Sequence, residues 1–276
     1  MPKQLLIYQS AVPVSASRHG ALFFDGTGSY AFSAGINAVP LMAVEFLSAA
    51  TEYAIVFTEA GDAVLPVVVL GIRPEQNLYL SAQQQWQAKY VPAFVRRYPF
   101  VFSSSEDRKT LTLCIDETHP GLNAEGRGQR LFDADRKPSA YVGQVLAYLQ
   151  QYQASFERTR AFGQRLKQLK LLDPMQAQVS TPDGQTLKLG GFLAVQRDKL
   201  RALDGDTLAL LAKTDELELL YLHLHSMRNF DTVKDRLVST LAAAQDTTSA
   251  ATNTAASAAT DTRASTAADS EPATTS

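Results

Sequence analysis

Apolar residues in the first half of the chain occur in short runs that are separated by turn residues. The runs are rich in Val, Ile, Leu and Tyr and show no helical period, which predicts β-strands joined by turns. The predicted strands cover 5–8, 53–57, 64–72, 78–80 and 111–115. Val67, Val68 and Val69 form an unbroken apolar stretch, which predicts a strand buried on both faces.

Helical periods are brief in this half. Pro40 precedes apolar residues at helical spacing over 41–50, and Pro is tolerated in the first turn of a helix, so one short helix is predicted there. Between Trp86 and Arg97 the pattern is mixed, and Pro92 and Pro99 restrict any helix to about two turns.

The second half has a different pattern. Over 139–172 the apolar residues recur every three or four positions, which predicts one long amphipathic helix. The stretches 175–179 and 186–189 flank a Thr-Pro-Asp-Gly turn and predict a hairpin, with a third strand at 191–195. Helices are predicted over 197–202, 207–212 and 215–241.

This order of elements predicts the α+β class, with a β-rich N-terminal half followed by a long amphipathic helix, a hairpin and C-terminal helices. We expect a half over 1–138 and a half over 139–243, packed together as one domain. A long loop over 116–138 joins them, and Phe132 is its expected anchor.

Composition separates a tail from this body. Residues 244–276 contain 11 Ala, 9 Thr and 5 Ser and no Leu, Ile, Val, Phe, Tyr or Trp. Such a segment has too little apolar surface to build a core, so we expect it to be disordered.

Charge and hydropathy exclude some classes of partner. The whole chain has a net charge of -2, and the acidic balance lies in the tail, so the body is nearly neutral. Nucleic-acid-binding domains are usually strongly basic, so we expect no nucleic-acid partner. The longest uncharged apolar run, 63–72, is too short to span a bilayer, so no transmembrane segment is expected.

Localisation follows from weaker signals. The first 17 residues lack the apolar segment of a secretory signal, and Cys114 is the one cysteine, which is typical of a reducing compartment. These features predict a cytoplasmic protein, although the Thr- and Ser-rich tail leaves export by a route independent of a signal peptide open.

The densest aromatic and basic cluster lies over 86–100. Its candidate binding residues are Trp86, Tyr90, Arg96, Arg97 and Tyr98, because aromatic faces stack on rings and Arg forks bind carboxylates or phosphates. The alternative is structural: the rings belong to the core, and the arginines are solvated or paired internally.

Acid–base candidates are sparse. Asp116, Glu117 and His119 lie within four residues at a predicted strand end, and a carboxylate beside an imidazole could hold a metal or transfer a proton. The weak catalytic candidates are Asp116, His19 and His223, each with a structural alternative. No metal site is predicted, because His223 and His225 point to opposite sides of a helix.

No cofactor is predicted either. The Gly pairs at 26–28 and 126–128 lack the rest of a dinucleotide or phosphate loop, and no nucleophile elbow or Cys-x-x-Cys pair occurs. Cys114 lies in a predicted buried strand, which favours an inert apolar role.

Many ordered segments across the body resemble the bacterial SapC family. The matching segments are 39–46, 49–57, 71–78, 86–100, 114–117, 128–133, 171–174, 191–192 and 220–226. The resemblance covers about residues 1–237, whereas the tail and His119 fall outside the family pattern. It is not a resemblance to the peptide-transporter permease of the same name, which needs membrane spans.

The resemblance implies association with a bacterial surface layer and gene neighbourhoods with TonB-dependent receptors and flavin-dependent tryptophan halogenases. It implies no reaction. Two hypotheses therefore stay open: a non-catalytic, envelope-associated accessory protein that binds a glycan, peptide or protein partner through 86–100, or a cytoplasmic enzyme with a His and carboxylate pocket.

Overall fold

The structure is a computed structural model that describes residues 6–26, 28–105, 110–180, 184 and 186–243. The tail expected to be disordered and most of the Thr-Pro-Asp-Gly turn lie outside the described residues. The strands are β1 (Ala11–Pro13), β2 (Phe23–Phe24), β3 (Ala38–Pro40), β4 (Ile55–Ala60), β5 (Ala63–Val69), β6 (Phe100–Ser104), β7 (Leu111–Asp116), β8 (Leu122–Asn123), β9 (Gln129–Arg130), β10 (Leu172–Ser180) and β11 (Thr186–Val195).

Short helices lie between the strands of the first half, and longer helices dominate the second half. The helices are α1 (Ala16–His19), α2 (Phe46–Ala49), α3 (Ala93–Arg96), α4 (Ala140–Gln168), α5 (Arg197–Arg201), α6 (Gly205–Lys213), α7 (Glu216–Ser226) and α8 (230–243). Short 3₁₀ turns cover Ala31–Ser33, Ala43–Glu45 and Met227–Asn229. This arrangement confirms the predicted α+β class. Within the described ranges, no helix has the length and apolarity needed to cross a membrane.

The strands form three antiparallel sheets. The largest has the order β10-β11-β4-β5-β3, and the two smaller sheets have the orders β1-β7-β6 and β8-β2-β9. Val67, Val68 and Val69 are buried in β5, as predicted from their unbroken apolar run.

Helix α4 joins the hydrophobic clusters of the molecule. It begins after Ser139, whose hydroxyl accepts a hydrogen bond from the Val142 amide and so caps the helix. Its first half buries Val142 and Leu149 against the small sheets, and its second half buries Phe162 and Leu166 against β4 and β5. Because one rigid helix belongs to both clusters, it fixes their relative positions.

Several sequence predictions are confirmed. The strands over 53–57, 64–72 and 111–115, the long helix, the hairpin and the helices over 197–202 and 207–212 all form, with shifted ends. Between Trp86 and Arg97 only the single turn of α3 is helical. Phe132 is buried and bridges to Pro138, so it does anchor the long loop, which also contains β8 and β9.

The predicted strands over 5–8 and 78–80 are wrong in the described residues. Residues 6 and 7 form a turn, and the main-chain amides of Gln9 and Ser10 bind the Asp116 carboxylate instead of a neighbouring strand. In the second stretch the Tyr79 amide binds the Asn77 side chain, which leaves only one isolated bridge, from Leu80 to Trp86. In both places side-chain acceptors take the amides that a strand ladder would use.

The remaining predictions differ in where elements begin and end. Pro40 closes β3, and the predicted helix over 41–50 is a 3₁₀ turn followed by α2. The stretch 191–195 is no separate strand but the end of β11, because a register shift between Met175 and Ala177 absorbs the glycines. The predicted helix over 215–241 is interrupted at Met227–Asn229, where the Asn229 amide donates to main-chain oxygens near β4.

Substituting glycines in α4 tests its packing. In Gly163→Ala the new Cβ would lie 1.9 Å from the Val64 carbonyl oxygen, so we expect a loss of about 1–3 kcal/mol in unfolding free energy. Gly143→Ala, on the same helix, meets no atom within 4 Å and should stabilise by up to about 1 kcal/mol. Urea unfolding followed by circular dichroism measures both, and a Gly163→Ala variant as stable as Gly143→Ala would contradict this packing.

Candidate functional site

A cleft of about 440 Å³ lies between the loop before β3, the segment leading into β6 and the first half of α4. We call it the aromatic cleft, because seven of its residues are Phe or Tyr. Its volume falls in the range of small-molecule sites, about 300–1,000 Å³. The described residues of its lining are Phe24, Gly26, Gly28, Ser29, Tyr30, Phe32, Val95, Arg96, Arg97, Tyr98, Phe100, His119, Tyr141, Gln144, Val145, Tyr148 and Leu149.

Two stacked ring pairs shape the aromatic cleft. Phe32 and Tyr98 are stacked with centroids 4.2 Å apart, and Phe24 and Tyr141 are stacked at 6.1 Å. The His119 ring lies between the pairs, 5.0 Å from Phe24 and 5.3 Å from Tyr98. The lining therefore offers ring faces together with one imidazole.

Helix α4 supplies one side of the cleft through its periodicity. Tyr141, Val145 and Tyr148 are four and three residues apart and therefore lie on one face. Gln144 lies beside them and is exposed. Burial raises the pKa of Tyr141 to about 12, so its hydroxyl keeps its proton and can donate a hydrogen bond.

Arg96 is the exposed cation of the cleft. Its guanidinium lies 5.6 Å from the centroids of both the Tyr90 and the Tyr148 rings, a cation–π arrangement. Nε donates to the Val91 carbonyl oxygen at 2.9 Å, and Nη2 donates to the Tyr90 hydroxyl at 3.3 Å. The Tyr90 hydroxyl in turn donates to the buried Glu45 carboxylate at 2.6 Å. Glu45 and Tyr90 thus hold Arg96 from behind.

Arg97 is buried beneath the same region. Its guanidinium carbon lies 4.4 Å from the Phe94 centroid, 4.7 Å from Tyr152 and 5.8 Å from Tyr8. The Tyr8 hydroxyl itself donates to the Phe100 carbonyl oxygen at 2.7 Å. These three rings therefore pack around the Arg97 guanidinium beneath the cleft.

His119 presents one nitrogen to the cleft. Its Nδ1 accepts a hydrogen bond from the Gly121 amide at 2.8 Å, so in the neutral ring the proton is on Nε2. Burial lowers the pKa of His119, and the nearby Asp116 only partly opposes this shift. No hydrogen bond from the described residues reaches Nε2. His119 is therefore a neutral donor near pH 7.

Asp116 lies behind Tyr98 and not in the cleft lining. Its carboxylate accepts the amides of Gln9, Ser10 and Thr118 and the Thr118 hydroxyl, and it is 3.4 Å from the Tyr98 hydroxyl. Burial alone would raise the pKa of Asp116, but these hydrogen bonds lower it below its ordinary value. The carboxylate fixes the chain before β1 to the end of β7.

His19 bonds to Glu117 rather than to Asp116. Its Nδ1 accepts from the Ser15 amide at 3.1 Å, and its Nε2 lies 3.1 Å from Glu117, which Arg18 also binds through two nitrogens. Chiefly the hydrogen bond from Arg18 lowers the pKa of Glu117. The structure thus does not join His19 and Asp116 by a hydrogen bond.

His223 is fully buried on α7, against the five-stranded sheet. Its Nδ1 donates to the Ile55 carbonyl oxygen at 2.8 Å, and its Nε2 accepts the Val195 amide at 3.0 Å. Both ring nitrogens therefore bind main-chain atoms, which links α7 to β4 and β11. Burial lowers the pKa of His223 to about 4, so the ring is neutral.

The five predicted binding residues divide into two groups. Arg96, Arg97 and Tyr98 line the cleft, whereas Trp86 and Tyr90 stand behind it. The Trp86 indole donates to the Tyr53 hydroxyl at 2.7 Å, and its ring lies 5.6 Å from Tyr30. Trp86 and Tyr90 therefore support the cleft from behind.

No clustered set of three or more His, Cys, Asp or Glu side chains suited to a metal occurs in the described part of the chain. Glu117 faces Arg18, and His119 faces the rings, so the acidic segment after β7 does not converge on one point. Cys114 is buried in β7, and burial raises the pKa of its thiol.

A comparison with models of protein families shows the family to which the chain belongs. A family model described as SapC matches residues 14–233, well over half of the 276-residue chain. The chain belongs to the SapC family. Searches of the curated proteins and of the solved structures found no match. All lining residues, from Phe24 to Leu149, lie inside the SapC match, so the aromatic cleft belongs to the family region of the chain.

Sequence reasoning missed most of the ring lining of this SapC protein. Phe24 and Phe32 lie in a Gly-rich stretch without a regular period, and only the fold brings them to Tyr98. Tyr141 and Tyr148 carried a signal, because they are seven residues apart and widen the apolar stripe of α4.

Replacing His223 tests its buried, neutral state. Its pKa of about 4 lies below the ordinary 6.5, so between these two values the unfolded chain binds a proton on this His and the folded protein does not. The contribution of His223 to the free energy of unfolding is therefore full above pH 6.5 and declines toward pH 4. About 2 kcal/mol of unfolding free energy is lost between pH 7 and pH 5. Urea unfolding at both values should show that loss in wild type and in the exposed control His225→Gln, and a smaller loss in His223→Gln. An equal loss in His223→Gln would contradict the assignment.

Proposed function

We propose that this SapC-family protein is a non-catalytic binding protein, and that the aromatic cleft receives a glycan or peptide group of a partner in the cell envelope. The observation that carries the proposal is the cleft itself, which combines stacked rings with several side-chain donors, such as the Tyr141 hydroxyl, that have no hydrogen bond to the described residues. Such a mixture of apolar faces and a few polar groups is typical of ligand sites.

The structural roles of the catalytic candidates favour a binding function over a catalytic one. Asp116, His19 and His223 each have their polar atoms engaged in hydrogen bonds that hold the fold together. A general acid or base needs hydrogen-bond reach to a substrate, and none of the three lines the cleft. His119 lines it alone, without a carboxylate or nucleophile bound to its Nε2 among the described residues.

Association with the envelope rests on the family alone. The resemblance to the SapC family implies a surface-layer setting, and we therefore place the proposed partner in the cell envelope.

A substitution that fills the cleft tests this function. Gln144 is an exposed lining residue on α4, so Gln144→Trp adds bulk to the cleft without entering the core. Purified protein should co-sediment with isolated envelopes of the bacterium that encodes it, and Gln144→Trp should reduce the bound fraction about tenfold or more. Periodate or protease treatment of the envelopes distinguishes a glycan from a peptide partner.

The matched control is Gln151→Trp, an exposed residue of the same helix that lies outside the lining. It should sediment like wild type. Wild-type protein that stays in the supernatant, or Gln144→Trp protein that sediments as fully as the control, would overturn the proposed function.

A further inference from the structure

The described residues that line the aromatic cleft include cationic side chains and no carboxylate. Arg96 and Arg97 are the charged residues among them. Two carboxylates stand behind this lining: Glu45 binds Tyr90 behind Arg96, and Asp116 lies behind Tyr98. Arg96 is therefore an exposed cation at the cleft.

Arg96 has donors left for a ligand. A guanidinium has five N–H groups, and the described contacts use one on Nε and one on Nη2, which leaves three. Its side chain is exposed, and the Tyr148 ring and the Tyr90 hydroxyl limit its movement. A planar fork that is already oriented suits a carboxylate, which it can bind through two parallel hydrogen bonds.

Neutral donors surround this charge. The Tyr30 and Tyr141 hydroxyls, the Gln144 amide and His119 Nε2 have no hydrogen bond to the described residues. They alternate with ring faces, against which the C–H groups of a sugar ring can lie. A ligand that carries both many hydroxyls and a flat apolar face matches this pattern.

Resting on the proposed function, we propose that the aromatic cleft binds an acidic sugar, a uronic acid unit of an envelope glycan, with its carboxylate on Arg96 and its ring among Tyr98, Tyr141 and Tyr148. The volume of about 440 Å³ suits a short saccharide. A peptide that binds as an added β-strand would require a free strand edge. The α4 side of the cleft offers none, since its main chain is helical.

Charge-matched probes test the proposal. The probes are digalacturonate and its dimethyl ester, which keeps both rings and loses both charges. In calorimetric titrations at pH 7 and low salt, digalacturonate should bind wild type about tenfold or more tightly than the ester, because charge-assisted hydrogen bonds are lost with the ester. Arg96→Gln should weaken digalacturonate binding about tenfold to a hundredfold and leave ester binding nearly unchanged.

The matched control is Arg158→Gln, which removes the same charge from an exposed position of α4 outside the lining and should bind digalacturonate like wild type. If Arg96→Gln fails to fold, the comparison of the two probes on wild-type protein still tests whether the cleft prefers a carboxylate. Equal binding of both probes, no binding of either, or tighter binding of inorganic phosphate or an acidic dipeptide would overturn the acidic-sugar proposal. The proposed function would fall only if the envelope sedimentation also failed to depend on Gln144.

Discussion

Glu45 is a buried carboxylate, only 4% exposed, and the shape of the cleft depends on how its two oxygens are satisfied. One oxygen accepts the Met42 amide at 2.7 Å, and the other accepts the Ala93 amide at 2.7 Å and the Tyr90 hydroxyl at 2.6 Å. Burying a carboxylate without such partners costs several kcal/mol. The chain must therefore bring the 3₁₀ turn Ala43–Glu45, α3 and Tyr90 together. The position of Arg96 follows from that arrangement, because its guanidinium donates to the Tyr90 hydroxyl.

A second constraint comes from α4, which contributes to each of the hydrophobic clusters. Val142 and Leu149 belong to the cluster of the small sheets, Tyr152 packs beside Met42 and Ala93, and Phe162 belongs to the main core. The cleft opens where these clusters meet, so its walls are the outer surfaces of packed side chains. A site built in this way is ordered before a ligand arrives, which lowers the entropic cost of binding.

The sequence predicted the class of the fold and its strongest elements, because the runs of β5 and the period of α4 are local patterns. It could not place Phe24 and Phe32 beside Tyr98, since that contact depends on the meeting of distant segments. Main-chain amides that donate to the Asp116 and Asn77 side chains account for the failures near Tyr8 and Tyr79. For the arginines, both hypotheses drawn from the sequence apply in part: Arg97 lies among internal rings, and Arg96 is exposed at the cleft.

The central claim is that Glu45 and Tyr90 act on the ligand through Arg96. The most direct test is a double-mutant cycle of Tyr90→Phe and Arg96→Gln on digalacturonate binding. Tyr90→Phe should weaken binding about threefold to tenfold when Arg96 is present and have almost no further effect in the Arg96→Gln background. If Tyr90→Phe weakens binding by the same factor in both backgrounds, the two residues act independently, and the claim is contradicted.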